Sequence, residues 1–404
     1  MKYIYIFLTV IALGAIGYFF YNHTQEAKLP QLLPRKGDIS IGSNWANTKK
    51  AIQGLQDKIR KNPKDYTSKL MLAYGFMQEA RVTGEHPYYY PAALKVIDDI
   101  LENTEENDSV HFKALVAKAS VQASLHHFKE ALETGEAALK LNNEDKDLYG
   151  VLCDANVELG NYPRAIEMGD KMVALRPELQ SYSRVSYLRE IHGDLPGAIA
   201  AMKMAVTAGY PGLEQTSWTR YNLGKLYERQ GDTTHARLAY EQTVVEDPRY
   251  AFGWAGLAGM AYKNGQHARA LSLYSKALNI IPEFSFQEEI ARIYVATGDK
   301  RAKDAIDKTV EMLSEDKEAG HDVDLELANL YLTVAKDKDK ALEYAQAEYE
   351  RRPNNIDVNR CLAMIYHARG DQQAFKKHAT LALRTKKRDP ELQALVGSAG
   401  AKSV

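Results

Sequence analysis

The 404-residue sequence predicts an all-α fold, a solenoid of about nine helical hairpins preceded by one N-terminal transmembrane helix, and three observations carry that reading. A 34-residue period is plain between 217 and 284, where Gly231 returns as Gly265, Ala236 as Ala270, Tyr240 as Tyr274 and Pro248 as Pro282. Five Gly-Asp or Gly-Asn dipeptides stand in register, at Gly160, Gly193, Gly231, Gly298 and Gly370. Each supplies a left-handed turn residue and then a polar residue suited to opening the next helix. The run Tyr3–Tyr21 holds nineteen residues without a charge, enough at the helical rise to cover close to the ~30 Å hydrocarbon thickness.

Tyr3 and Tyr5 at one end of that run, and Tyr18 and Tyr21 at the other, place amphipathic rings at the two headgroup regions, as an anchor requires. A cleaved secretory signal is the alternative, with Lys2 as its n-region and Ala12-x-Gly14 or Ala15-x-Gly17 at cleavage spacing. Either cut leaves the apolar Tyr18–Tyr21 on the mature end, so residues 1–21 are read as an uncleaved signal anchor. No cysteine follows, which excludes a lipoprotein anchor. Lys2 before the span and Lys28, Arg35 and Lys36 after it balance one another, so the charge rule does not fix the topology. A two-residue tail leading a large soluble domain resembles a bacterial signal anchor. The expected location is therefore a bacterial inner membrane, crossed once, with the soluble part in the periplasm. Residues 22–43, with Pro30, Pro34, Gly37 and Gly42, are expected as a stiffened linker.

The solenoid is expected over 44–390. A leading helix at 44–61 carries Ala51, Leu55 and Pro63, a looser unit covers 65–105, and repeats start near Phe112, Lys146, Leu179, Ser217, Ala251, Phe284, Asp322 and Ile356. Three irregularities interrupt the frame: a long turn at His86–Pro91, an expansion around Pro211-Gly212 and a degenerate second helix at 302–316. Residues 391–404 read as a tail. Within a repeat, small residues are needed where the two helices cross, an aromatic fills the gap towards the next hairpin, and proline stops the second helix. Trp254, Leu257, Ala258, Ala270, Tyr274, Ala277 and Pro282 fill those slots in one repeat, and Leu223, Gly224, Tyr227, Ala236, Tyr240 and Pro248 in the one before.

This pattern resembles the tetratricopeptide-repeat (TPR) superfamily over about 340 residues. The resemblance implies a right-handed superhelix whose first helices line a concave groove. The stretch Ser181–Glu190 followed by Gly193–Ala198 is similar to large bacterial membrane-anchored TPR proteins of poorly defined role.

Composition narrows the function. A net charge of −1 with no strongly basic half lacks the footprint of a phosphate-neutralising protein, so nucleic acid is not expected as a partner. Cys153 and Cys361 each fall in an apolar helical pattern and read as small hydrophobes. No P-loop, GxSxG, HExxH or GxGxxG motif occurs, and the repeats leave no stretch for a catalytic domain. Neither an enzyme, a cofactor nor a metal site is expected. His126-His127, with no third ligand nearby in sequence, reads as a polar turn.

What the groove offers is a binding surface. Positions 2, 5, 9, 12 and 13 of the first helices point into it, which places Tyr187, Glu190, Trp218, Tyr221, Lys225, Arg229, Phe252 and Tyr262 there. Aromatic and arginine side chains at such a surface suit a protein or peptide partner. Their bland alternative is packing between neighbouring helices. Arg184 and Arg189 flank Tyr187, either to grip an anion or to form structural ion pairs. Tyr88–Tyr90 either face the membrane or a partner, or cover the first hairpin. The expected function is a membrane-tethered scaffold. An assembly chaperone similar to those of cytochrome c maturation is the second reading, and a glycan-active enzyme using Glu190 and Glu228 the third.

Overall fold

The computed structural model describes residues 29–41 and 43–401. The expected membrane span lies outside them. No helix among the described residues is long and apolar enough to cross a membrane. They form twenty α-helices and no strand.

A leading helix, α1 (Ser43–Lys61), precedes nine antiparallel hairpins. These are α2 (Tyr66–Thr83) with α3 (His86–Asn103), α4 (Ser109–Ser124) with α5 (Phe128–Leu141), α6 (Lys146–Glu158) with α7 (Tyr162–Leu175), α8 (Leu179–Ile191) with α9 (Leu195–Ala208), and α10 (Glu214–Gln230) with α11 (Thr233–Glu246). Then follow α12 (Ala251–Lys263) with α13 (His267–Ile280), α14 (Phe284–Thr297) with α15 (Ala302–Glu318), α16 (Asp324–Leu330) with α17 (Lys338–Arg351), and α18 (Ile356–Arg369) with α19 (Gln372–Ala382). A last helix, α20 (Pro390–Ala401), occupies the stretch expected as a tail, and its Leu392 is buried against the final hairpin.

Local chemistry sets the breaks. Asp65, Asp108, Asp145, Asp194, Asp232, Asn355 and Asp371 each accept a backbone N–H in the first turn of the helix they precede. Glycines of positive φ close the hairpin turns at 84, 160, 193, 231, 265, 298 and 370. Between repeats, the ring of Tyr240 fills the space left by Gly224 and Gly256 on successive first helices, so that a Cβ at Gly256 would lie 2.6 Å from it. Tyr240 is 1% exposed.

Two of the expected irregularities differ. His86–Pro91 is the start of α3, not a long turn, because Pro87 sits in the first turn where no N–H donor is needed. Residues 302–316 lie in a full-length helix, α15, whose Ala305, Thr309 and Leu313 are buried.

The described part of the expected linker is packed. Residues 29–41 form a strap with a short 3-10 turn at Gly37–Ser40. The Tyr88 hydroxyl accepts from Gln31 N–H (3.0 Å) and donates to Gln31 O (2.7 Å), and the Tyr89 hydroxyl accepts from Leu33 N–H (3.1 Å). Tyr89 and Tyr90 are buried, so the tyrosine run covers the first hairpin and holds the strap. Arg35 pairs bidentately with buried Glu79 (2.9 and 2.5 Å). Further on, Ile39 inserts into the core of α12–α14, and Arg249 donates to Ile41 O (2.9 Å).

These last contacts begin a seam along which the superhelix closes on itself. The turn at Gly84 meets Ile281-Pro282. His126 Nδ1 lies 2.8 Å from Asp322 O, and Asp322 N–H donates to Leu125 O (3.0 Å). Arg352 reaches Glu158 (2.5 Å), and Ile356 N–H donates to the Tyr162 hydroxyl (3.0 Å). Gly193 abuts Lys386, and Arg384 donates to Gly160 O (2.9 Å). Partners stand about 195 residues apart, so one superhelical turn takes just under six hairpins.

Candidate functional site

Closure turns the concave groove into a channel. Its larger chamber, 1060 Å³, is lined by α2, α4, α6, α8 and α10 together with Asp357 and Lys387, which arrive from the second turn. A smaller chamber of 580 Å³ lies among α10, α12 and α14, and Lys225 and Arg229 line both. α10 is therefore the junction.

Seven of the eight expected groove residues stand on this wall. Tyr187, Glu190, Trp218, Lys225 and Arg229 line the larger chamber, and Tyr221 and Tyr262 the smaller. Phe252 does not. Its ring packs against Tyr221 (5.6 Å), Tyr250 (5.7 Å) and Phe286 (4.9 Å), because position 2 of α12 turns towards the neighbouring first helices. Trp218 keeps 42% of its surface open to the channel.

Most charges on the wall are already matched. Arg184 lies over Gly150 and binds Asp154 through Nε–Oδ1 (2.9 Å) and Nη2–Oδ2 (2.6 Å), which makes it a structural ion pair between repeats. Arg189 is held by Asp194 (2.9 Å). Arg229 pairs with Glu190, Lys387 with Asp357 (2.6 Å), and Arg81 approaches Glu214 at 3.8 Å. Glu228 is engaged by Lys263 and by the Tyr240 hydroxyl (2.7 Å). Glu190 and Glu228 are thus both tied to cations and do not form the pair of free carboxyls that glycosidase chemistry needs.

Lys225 differs from these. Its ammonium lies 5.5 Å from the Tyr221 ring, and burial holds its pKa below the usual lysine range, with Glu228 opposing that effect and Lys387 adding to it. Open to the channel and without a close counter-ion, its ammonium is placed to donate to an incoming acceptor. Burial likewise lifts the Tyr187 hydroxyl well above the ordinary tyrosine value, so it stays a neutral donor. In the smaller chamber, burial pushes Glu288 up to about 7 even though Arg292 opposes the shift.

His126 and His127 sit at the seam, where the His126 ring meets His321 at 4.4 Å. Among the described residues no cluster of three or more His, Cys, Asp or Glu is arranged for a metal.

Sequence reasoning missed much of the wall. Asp147, Asp154 and Glu158 on α6, and Ser120 and Ser124 on α4, occupy the same register as the residues chosen on α8–α12. Extending that register to the early repeats would have found them. Asp357 and Lys387 carry no such signal, since only closure brings them in.

Residues 221–286 match the tetratricopeptide-repeat family model. No curated protein matches the chain. Among solved structures, the human IFIT1 dimer with PPP-AAAA is similar in fold: 14% identity, 85% of this chain and 80% of that one, TM-score 0.51. A tetratricopeptide-repeat protein from Parabacteroides merdae shares 16% identity over 61% of this chain and 92% of its own, with a TM-score of 0.46.

Proposed function

We propose that this chain, an all-α repeat solenoid whose residues 221–286 match the tetratricopeptide-repeat model, acts as proteins with that repeat generally do, through protein–protein interaction, and holds a polypeptide segment of a partner inside its channel. The observation that carries this is the junction at α10, where Trp218 and Lys225 face water inside the channel while most neighbouring charges are paired. A polypeptide offers carbonyls and carboxylates to Lys225 and apolar side chains to Trp218 and Tyr221.

The balance of charge on the wall favours this over a phosphate chain. Asp147, Asp154, Glu158, Glu190, Glu214 and Asp357 stand among Arg81, Arg184, Lys225, Arg229 and Lys387. Nucleic-acid binding needs a net cationic track. Fixed ion pairs also favour one defined ligand over the varied unfolded chains that an assembly chaperone would receive, since such pairs reward matched groups only.

The soluble part is tethered, in this proposal, to a bacterial inner membrane by Tyr3–Tyr21, which raises the partner's effective concentration at that surface. In the test, lysate is passed over wild type, Trp218→Ala/Lys225→Ala, and Leu238→Ala on the outer helix α11. A protein retained by wild type and Leu238→Ala and lost from the channel variant supports the reading, and one retained equally by all three removes the channel as its site. Fractionation tests the tether. The full chain is expected in the membrane pellet after an alkaline wash, and residues 29–404 in the supernatant.

A further inference from the structure

The seam differs from every other interface in the molecule. Hairpins and their neighbours join through buried apolar clusters. Along the seam the contacts are largely hydrogen bonds and ion pairs between loops, such as Asp322 N–H to Leu125 O and Arg352 to Glu158, with single apolar side chains, Ile39 and Ile356, inserted across it. An interface with little buried apolar surface opens at lower free energy than the elements it joins.

It also stores strain. The described chain has three non-glycine residues of positive φ, and two of them, His126 (62°) and Lys386 (66°), are seam residues. The third, Lys336, closes the turn between α16 and α17, and the other hairpin turns of positive φ use glycine. Polar groups are left over there too. Both ring nitrogens of half-buried His321 and one carboxylate oxygen of Glu326 lack partners, although His126 lies against the one residue and 4.0 Å from the other. Parting the seam would hydrate them.

The channel gives this weakness a use. With the seam closed, the two superhelical turns stand side by side next to the wall that carries Trp218 and Lys225. We propose that the seam is a gate, parting between the two superhelical turns to admit an internal stretch of the partner chain and then closing around it. This rests on the channel being the binding site. Parting the seam unfolds no hairpin, since the contacts that cross it join separate hairpins.

The test needs no partner. Hydrogen exchange of the wild-type protein is followed in increasing urea, reading the amides of Asp322 and Ile356 on two separate rungs and of Leu152 in α6. A gate predicts that both seam amides share one opening free energy and one urea dependence, and exchange at least about a hundredfold faster than Leu152. Unrelated values for the two rungs, or a rate equal to that of Leu152, overturn it. A crosslink gives a second reading. A Cβ built at Gly84 lies 3.5 Å from that of Ile281, at the short end of the disulfide range of about 3.5–4.5 Å. Oxidised Gly84→Cys/Ile281→Cys is expected to slow Asp322 and Ile356 at least about tenfold relative to its reduced form. Unchanged exchange in the oxidised form means that these loops fluctuate independently, and the gate fails while the channel site stands. If the channel variants behave like wild type towards partners while the seam amides still open together, the channel site fails, and the gate falls with it for want of a ligand, although the seam opens as one unit.

Discussion

Gly160 and Gly370 both close hairpin turns with nearly the same backbone, φ 78° and 82°, yet their surroundings differ. A Cβ at Gly370 meets nothing within 4 Å, whereas one at Gly160 collides with the Asn354 backbone across the seam. Gly370→Ala is expected to cost about 1–2 kcal/mol for the left-handed conformation. Gly160→Ala should cost about 1–3 kcal/mol more, the penalty of overpacking. Urea unfolding of the two variants checks this, and equal losses would contradict the seam. Arg35 makes a comparable case. Removing it leaves Glu79 buried and unpaired, so Arg35→Ala should lose about 3–5 kcal/mol, while Arg35→Met/Glu79→Leu should lie close to wild type. At this scale the turn glycines were legible from their Gly-Asp and Gly-Asn dipeptides. The second demand on Gly160 was not, since its partner lies 194 residues away in sequence.

Elements fared unevenly for a physical reason. Helices whose apolar faces recur every 34 residues announced themselves, and the hairpin starts match their expected positions within a few residues. The strap has no period. Its fold rests on single contacts, tyrosine hydroxyls to backbone and one buried ion pair, and no local pattern encodes them. The α4–α5 turn gives an element-scale prediction. Burial first, and then the neighbouring His126, hold His321 down to about 3 and His86 down to about 4. Both are neutral in the closed form and regain the ordinary value near 6.5 when exposed. The stability they lend is present above 6.5 and is lost as pH falls below it. Asp316, raised to about 6 by burial, acts in the opposite direction, and Glu326, His127 and Asp322 also face the cluster. The comparison with His321→Gln isolates one group. Between pH 6.5 and 5 wild type should lose about 2 kcal/mol relative to that variant, at 1.36 kcal/mol per pH unit. A difference independent of pH would show that His321 does not titrate with unfolding.

For the molecule as a whole, the channel was half legible. The register that points side chains inward follows from the helical period and held from α2 to α14. Closure depends on superhelical pitch, the sum of many small rotations between hairpins, and appears in no stretch of sequence short enough to read. It narrows an open groove and makes neighbours of residues about 195 positions apart in the chain. The central claim is that the partner lies inside. A photo-crosslinking amino acid placed at Trp218, within the channel, and at Leu238, exposed on α11, tests this most directly. Position 218 is expected to capture a partner protein and position 238 none. Capture from 238 with none from 218 would place the partner on the outer surface and contradict it.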